Sequence, residues 1–151
     1  MKTILQLFTV SVSILFITGC VSIIPLKNID DQVIGRDLSE EQVKEAIHSG
    51  IEAAGWTTEK EGPGKILATY MVRSHTVAVN IRYTENNYSI NYAYSNNMKV
   101  YCSDKEKAQG VVIAKWPEES CGGARPQLIH AAYEKWVEEL KSEIDAALSS
   151  T

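Results

Sequence analysis

The stretch "HTVAVNIRYTENNYSINYAYS", residues 75 to 95, sets the architecture. Val77, Val79, Ile81 and Tyr83 share one side of an extended chain, with Asn80 and Arg82 opposite. Beyond the polar turn Glu85-Asn86-Asn87, Tyr88, Ile90, Tyr92 and Tyr94 line up against Ser89, Asn91, Ala93 and Ser95. Successive side chains of a strand point to opposite faces, so this period-2 patterning marks half-buried strands. Two such runs around a short polar turn predict an antiparallel hairpin with one dry and one wet face. Residues 65 to 74 repeat the pattern: Ile66, Ala68, Tyr70 and Val72 on one side, Leu67, Thr69, Met71 and Arg73 on the other. Gly62-Pro63-Gly64 is a turn signal that separates this run from a first strand over Trp56 to Glu61. The expectation is an antiparallel meander of three to four strands.

Two helices flank it. In "LSEEQVKEAIHSGIEAAGW", residues 38 to 56, Ser39 and Gln42 form an S-x-x-Q capping box. Glu40 and Glu41 suit the positive end of the helix dipole. Val43, Ala46, Ile47, Gly50, Ile51 and Ala54 recur at helical spacing and make one apolar face. Gly50 on that face predicts close approach to a sheet, and Gly55 a left-handed stop. In "RPQLIHAAYEKWVEELKSEIDAAL", residues 125 to 148, Pro126 suits the first helical position. Ile129, Tyr133, Trp136, Val137, Leu140, Ile144 and Leu148 form a long stripe. The predicted class is α+β in α-β-β-β-α order, with both amphipathic helices on one face of the meander.

The chain opens with Lys2 and a mostly apolar run from Ile4 to Ile17, too short for a comfortable membrane span. This fits a cleaved export signal. Phe16-Ile17-Thr18-Gly19-Cys20 resembles the bacterial lipobox. The resemblance implies cleavage after residue 19 and lipidation of Cys20. Several acyl chains on one cysteine make a durable anchor, because each buried methylene adds about 0.8 kcal/mol. Val21, rather than Asp, follows Cys20; by the same resemblance this implies the outer membrane, facing the periplasm. Residues 20 to 37 read as a lipidated tether with Val33 and Ile34 as a short strand or lead-in, and 38 to 151 as one globular domain.

With 15 basic and 19 acidic residues the net charge is −4, and removal of Lys2 makes it −5. This gives no footprint for nucleic acid and no polybasic patch for anionic lipid. Of three cysteines, Cys20 is the odd one. Cys102 and Cys121 are then a pair in an oxidising compartment, and a disulfide is expected. It would close a loop of about 20 residues, worth roughly 3 kcal/mol. Within that insertion Val111-Val112-Ile113 and Trp116-Pro117 form an apolar patch. Val112, Ile113 and Trp116 are therefore a candidate binding surface, with an extra edge strand as the equal alternative.

No catalytic or metal site is expected, and no cofactor. His48, His75 and His130 share no ligand spacing. A hydrogen bond holding the start of the second helix against the sheet is the role expected of His130. No serine lies in a nucleophile motif. The seven tyrosines read as core and sheet-edge packing, with a glycan or peptide platform as the rival.

Gly55-Trp56, "HTVAVNIRYT", "YSINYAYS" and "IHAAYEKWVEEL" occur in an order that resembles a family of small uncharacterised bacterial lipoproteins. Its members carry GW, a strand ending I-x-Y, a strand Y-S-I-x-Y and a C-terminal helix I-H-x-x-Y-x-x-W. The resemblance spans most of residues 38 to 148 and implies fold and anchorage but no reaction; the 102–125 insertion departs from it. The expected function is a non-enzymatic, lipid-anchored domain that works by protein contact or in envelope maintenance. The rivals are a binding or hydrolase-inhibitor module using the 102–121 loop and, less favoured, an envelope hydrolase.

Overall fold

The computed structural model describes residues 22–98, 100–102 and 127–151. It is α+β, with two helices and two antiparallel sheets. The strands are β1 (Ile23–Pro25), β2 (Ile29–Val33), β3 (Thr57–Gly62), β4 (Lys65–Val72), β5 (His75–Tyr83), β6 (Asn87–Asn96), β7 (Tyr101–Cys102) and β8 (Gln127–His130). The helices are α1 (Glu40–Ala53) and α2 (Ala132–Ser150). The larger sheet has the order β2-β6-β5-β4-β3 and the smaller one β1-β8-β7.

Strands β4 to β6 form where alternation predicted them, and β3 where a first strand was expected ahead of the turn. Ile66, Ala68, Val77, Val79, Ile81, Tyr83, Tyr88 and Ile90 enter one core together with Val43, Ile47 and Ile51 of α1 and Tyr133, Val137, Leu140 and Ile144 of α2. The opposite face carries Lys65, Leu67, Asn80, Arg82, Ser89 and Asn91. The alternation of β6 breaks at one point. The register shifts between Ala78 and Val79, whose partners are Tyr94 and Tyr92, so Ala93 is an extra residue. Such a bulge reverses the facing of the residues beyond it. Ser95 is therefore buried and Tyr94 is exposed, the reverse of the sequence expectation. Tyr94 donates from its hydroxyl to Glu59 at 2.6 Å, reaching over the row of Ala78 and Thr69 toward β3. That hydrogen bond, more than burial, raises the Tyr94 pKa.

Three further expectations are corrected. Much of the expected tether, from residue 23 to 33, is strand: β1 pairs with β8, and β2 pairs with β6 to become the fifth strand of the meander. Polar residues at a sheet edge mask the period-2 signal, and β2 is interrupted by Asp30-Asp31 between Ile29 and Gln32. Next, the second helix begins at Ala132, not at Pro126. Ile129 belongs to β8 opposite Ile24, yet is fully buried as the helical stripe required. A short apolar run suits either element, and here the partners on both sides of β8 decide it. Finally, Gly50 faces the other helix: a Cβ there would lie 2.6 Å from the Ile144 Cα. Small residues allow such close crossing of helix backbones.

The helix ends follow local chemistry. Ser39 accepts from the Gln42 amide at 3.3 Å, and the Gln42 side chain accepts from the Ser39 amide at 2.9 Å. Gly55 has φ +74 and closes α1. His130 Nδ1 accepts from the Ala132 amide at 3.1 Å, the first-turn donor that α2 would otherwise leave unpaired. Arg36 donates to the Ser149 carbonyl in the last turn of α2, where a cation suits the dipole. No helix among the described residues is long and apolar enough to cross a membrane.

Candidate functional site

The outer face of the large sheet holds a cleft of about 560 Å³. Its floor is the polar side of β5 and β6, with Asn80, Arg82, Ser89 and Asn91. Its wall is the lead-in strand, with Asn28, Asp30 and Asp31. Strand alternation that buries Val79, Ile81 and Ile90 necessarily presents these polar neighbours on the far side.

Hydrogen bonds fix the wall to the floor. The Asp31 amide donates to Ser89 Oγ at 3.0 Å, and Asn91 Nδ2 donates to Asp30 Oδ1 at 2.8 Å. The Tyr92 amide donates to Asn28 Oδ1 at 3.0 Å. Asp31 sits at φ +47, a left-handed conformation that Asp tolerates better than most residues. These contacts leave the Arg82 guanidinium, the Asn80 amide and the Asp31 carboxylate without a partner among the described residues. The cleft thus offers fixed donors and acceptors around an open space, which is a recognition chemistry.

A second cluster lies at the edge of the sheet. His48 on α1 approaches Glu61 through Nε2 at 2.9 Å and Thr58 through Nδ1 at 3.3 Å, both on β3. Lys44 Nζ is 3.9 Å from the same carboxylate. The order hydroxyl, imidazole, carboxylate is that of a triad. Here the carboxylate is shared with a lysine, and the three groups bridge one helix to one edge strand. The arrangement clasps α1 to β3. His75 Nδ1 lies 2.9 Å from the Asn97 carbonyl, which closes the β5–β6 end. The three histidines are thus dispersed, and no group of three His, Cys, Asp or Glu among the described residues is placed to hold a metal.

The tyrosines divide between core and surface. Trp56 stacks on Tyr70 with centroids 5.3 Å apart, and Tyr70 meets Trp136 in a tilted contact at 5.2 Å. Tyr92 meets Tyr133 edge-on at 5.8 Å. Tyr88 is buried and donates to Asp145 on α2 at 2.5 Å. Burial raises its pKa first, and the bond to Asp145 adds to it. Burial likewise raises that of Tyr133.

Cys20, Cys121, Val112, Ile113 and Trp116 lie outside the described residues, as does the insertion between Cys102 and Gln127. Cys102 closes β7, one residue past the partner of Leu128. The cleft residues were missed from the sequence. Asn80, Arg82, Ser89 and Asn91 read only as a solvated face, and Asp30 and Asp31 as a tether. The one signal along the chain was a cation, Arg82, flanked by amides on the wet side of two adjacent strands. Comparison with protein families, with curated proteins and with solved structures finds no match.

Proposed function

We propose that the protein is a lipid-anchored recognition domain of the bacterial envelope, attached through Cys20 to the outer membrane and facing the periplasm. It works by binding an envelope component rather than by catalysis, and belongs with small lipoproteins of the family it resembles. The observation that carries the binding part is the open cleft on the sheet face away from α1 and α2, lined by amides, carboxylates and a guanidinium. The anchoring part rests on the Phe16–Cys20 motif. Under this reading Val21 and Ser22 alone separate the lipid from β1, a reach of about 10 Å at most. The domain is then held close against the bilayer, with β1 and the start of α2 nearest to it, since the Ala131 amide donates to the Ser22 carbonyl at 2.9 Å.

Two measurements test this. Fractionation of cells carrying Cys20→Ala should move the protein from the outer membrane to the soluble periplasm; unchanged fractionation rejects the anchor. A photoreactive residue at position 67, beside Asn80 on the outer face, should capture a specific envelope component in intact cells. Capture of nothing above a control placed at exposed Glu52 rejects the recognition reading.

A further inference from the structure

On the outer face, charged residues of three strands fall in one row across the sheet. Lys65 on β4 and Arg82 on β5 are direct cross-strand partners, and Arg82 is in turn the partner of Ser89 on β6. Asp30 and Asp31 bulge from β2 opposite Ser89, because Ile29 pairs with Ile90 and Gln32 with Tyr88. The row therefore runs Asp31, Ser89, Arg82, Lys65.

Both cations are exposed, and neither has a hydrogen bond or ion pair among the described residues. Like charges directly opposite each other in a sheet repel. In a chain with more acidic than basic residues, an unquenched Arg–Lys pair is not a by-product of composition. At the other end the Asp31 carboxylate is also unpaired among the described residues, and Asp30 uses one oxygen on Asn91. Asp31 and Arg82 thus line a common cleft without meeting, and Lys65 stands beside Arg82 on the next strand, outside the cleft lining. Neighbouring strands lie about 4.8 Å apart, so the backbones of Asp31 and Arg82, two strand spacings apart, are separated by about 10 Å.

We propose that this cleft binds a short peptide with both termini free, laid across the strands with its ammonium at Asp31 and its carboxylate at Arg82, with Lys65 adding positive charge from the neighbouring strand. The inference rests on the recognition reading above and names its ligand class. An extended chain spans at most about 3.5 Å per residue, so a tripeptide bridges about 10 Å and a single amino acid does not. The intervening peptide groups lie over Asn80 and Asn91, cross-strand partners whose amides both donate and accept. The Arg82 guanidinium matches a carboxylate with two parallel donors. The cleft volume of about 560 Å³ falls within the usual range for small ligands.

The test uses the full lipidated chain in lipid nanodiscs, isotopically labelled, titrated with tri-alanine and with a pool of tripeptides having free termini. The same peptides N-acetylated or C-amidated are the controls. Free peptides should shift the resonances of Asn80, Ser89 and Asn91, and blocking either terminus should weaken binding by about tenfold or more. Arg82→Gln should erase the difference between free and amidated peptides, and Asp31→Asn the difference between free and acetylated ones. Both substitutions are at exposed positions, and unfolding curves check that the fold is retained. Equal binding of blocked and free peptides overturns the inference, as does the absence of any shift at millimolar peptide. If peptides fail while the probe at position 67 still captures an envelope component, the peptide inference falls and the recognition reading stands.

Discussion

At the scale of single residues, Gly50 and Tyr88 join the layers. A Cβ at Gly50 would meet the Ile144 Cα at 2.6 Å and its backbone nitrogen at 2.7 Å, so one backbone has to move. Gly50→Ala gains up to about 1 kcal/mol in helix propensity, but forcing a methyl into a packed core costs about 1–3 kcal/mol. A net loss of stability is expected in urea unfolding. Gly35→Ala, where nothing lies within 4 Å, should change stability by less than about 0.5 kcal/mol. An unchanged midpoint for Gly50→Ala would contradict the close crossing. Tyr88→Phe removes the hydroxyl that donates to Asp145 and should cost about 1.5 kcal/mol, a typical value for a hydrogen bond to a charged group. The same phenol governs alkaline stability. Its pKa is raised in the fold, so above the ordinary tyrosine value of about 10 the unfolded chain releases a proton that the native one keeps. Stability is thus fully present below about pH 10 and falls as the pH rises beyond it. Tyr88→Phe should make that fall shallower in urea midpoints measured from pH 8 to 11; an identical slope would assign the effect to other groups, Tyr133 among them.

At the scale of elements, α1 is specified locally and β2 is not. The capping box of Ser39 and Gln42, the acidic first turn and the stop at Gly55 act within a few residues of each other. Ser39→Ala should therefore cost about 1 kcal/mol, read from the unfolding midpoint. By contrast β2 exists because β6 offers it an edge. Val33 is 81% exposed, and only Ile29 of the strand packs on the core. Removing residues 22 to 33 should leave the capping box intact but uncover the long β6. An uncovered strand of ten residues is a pairing template. The truncated chain is expected to associate on size-exclusion chromatography; a stable monomer would show that β2 is dispensable. β8 is the complementary case. The sequence around Ile129 reads as helix by its stripe, and the pairing with β1 and β7 makes it strand.

At the scale of the whole molecule, the N-terminal lead-in is the unifying segment. It pairs with β8 through β1 and with β6 through β2, and Arg36 then reaches the last turn of α2. The cleft is a product of this closure, because its acidic wall is β2 and its floor is β5 and β6. The sequence by itself determined everything with a local period or a local partner. Alternation over residues 65 to 95 specified the strands β4 to β6 and which of their residues are buried, apart from the end of β6 and Ala78, which is fully buried on the outer face beside Tyr94. Helical spacing and caps specified α1 and the body of α2. These signals are legible because the period of 2 or 3.6 is imposed by backbone geometry on consecutive residues. Only the tertiary structure decided whatever depends on a distant partner. The bulge at Ala93 turns Tyr94 outward, the Ile144 backbone takes the space beside Gly50, and β6 turns a polar lead-in into a fifth strand. Asp31 and Arg82 stand 51 positions apart in the chain and about 10 Å apart across the sheet. No pattern along the chain encodes that proximity, since cross-strand register is set by pairing rather than by propensity.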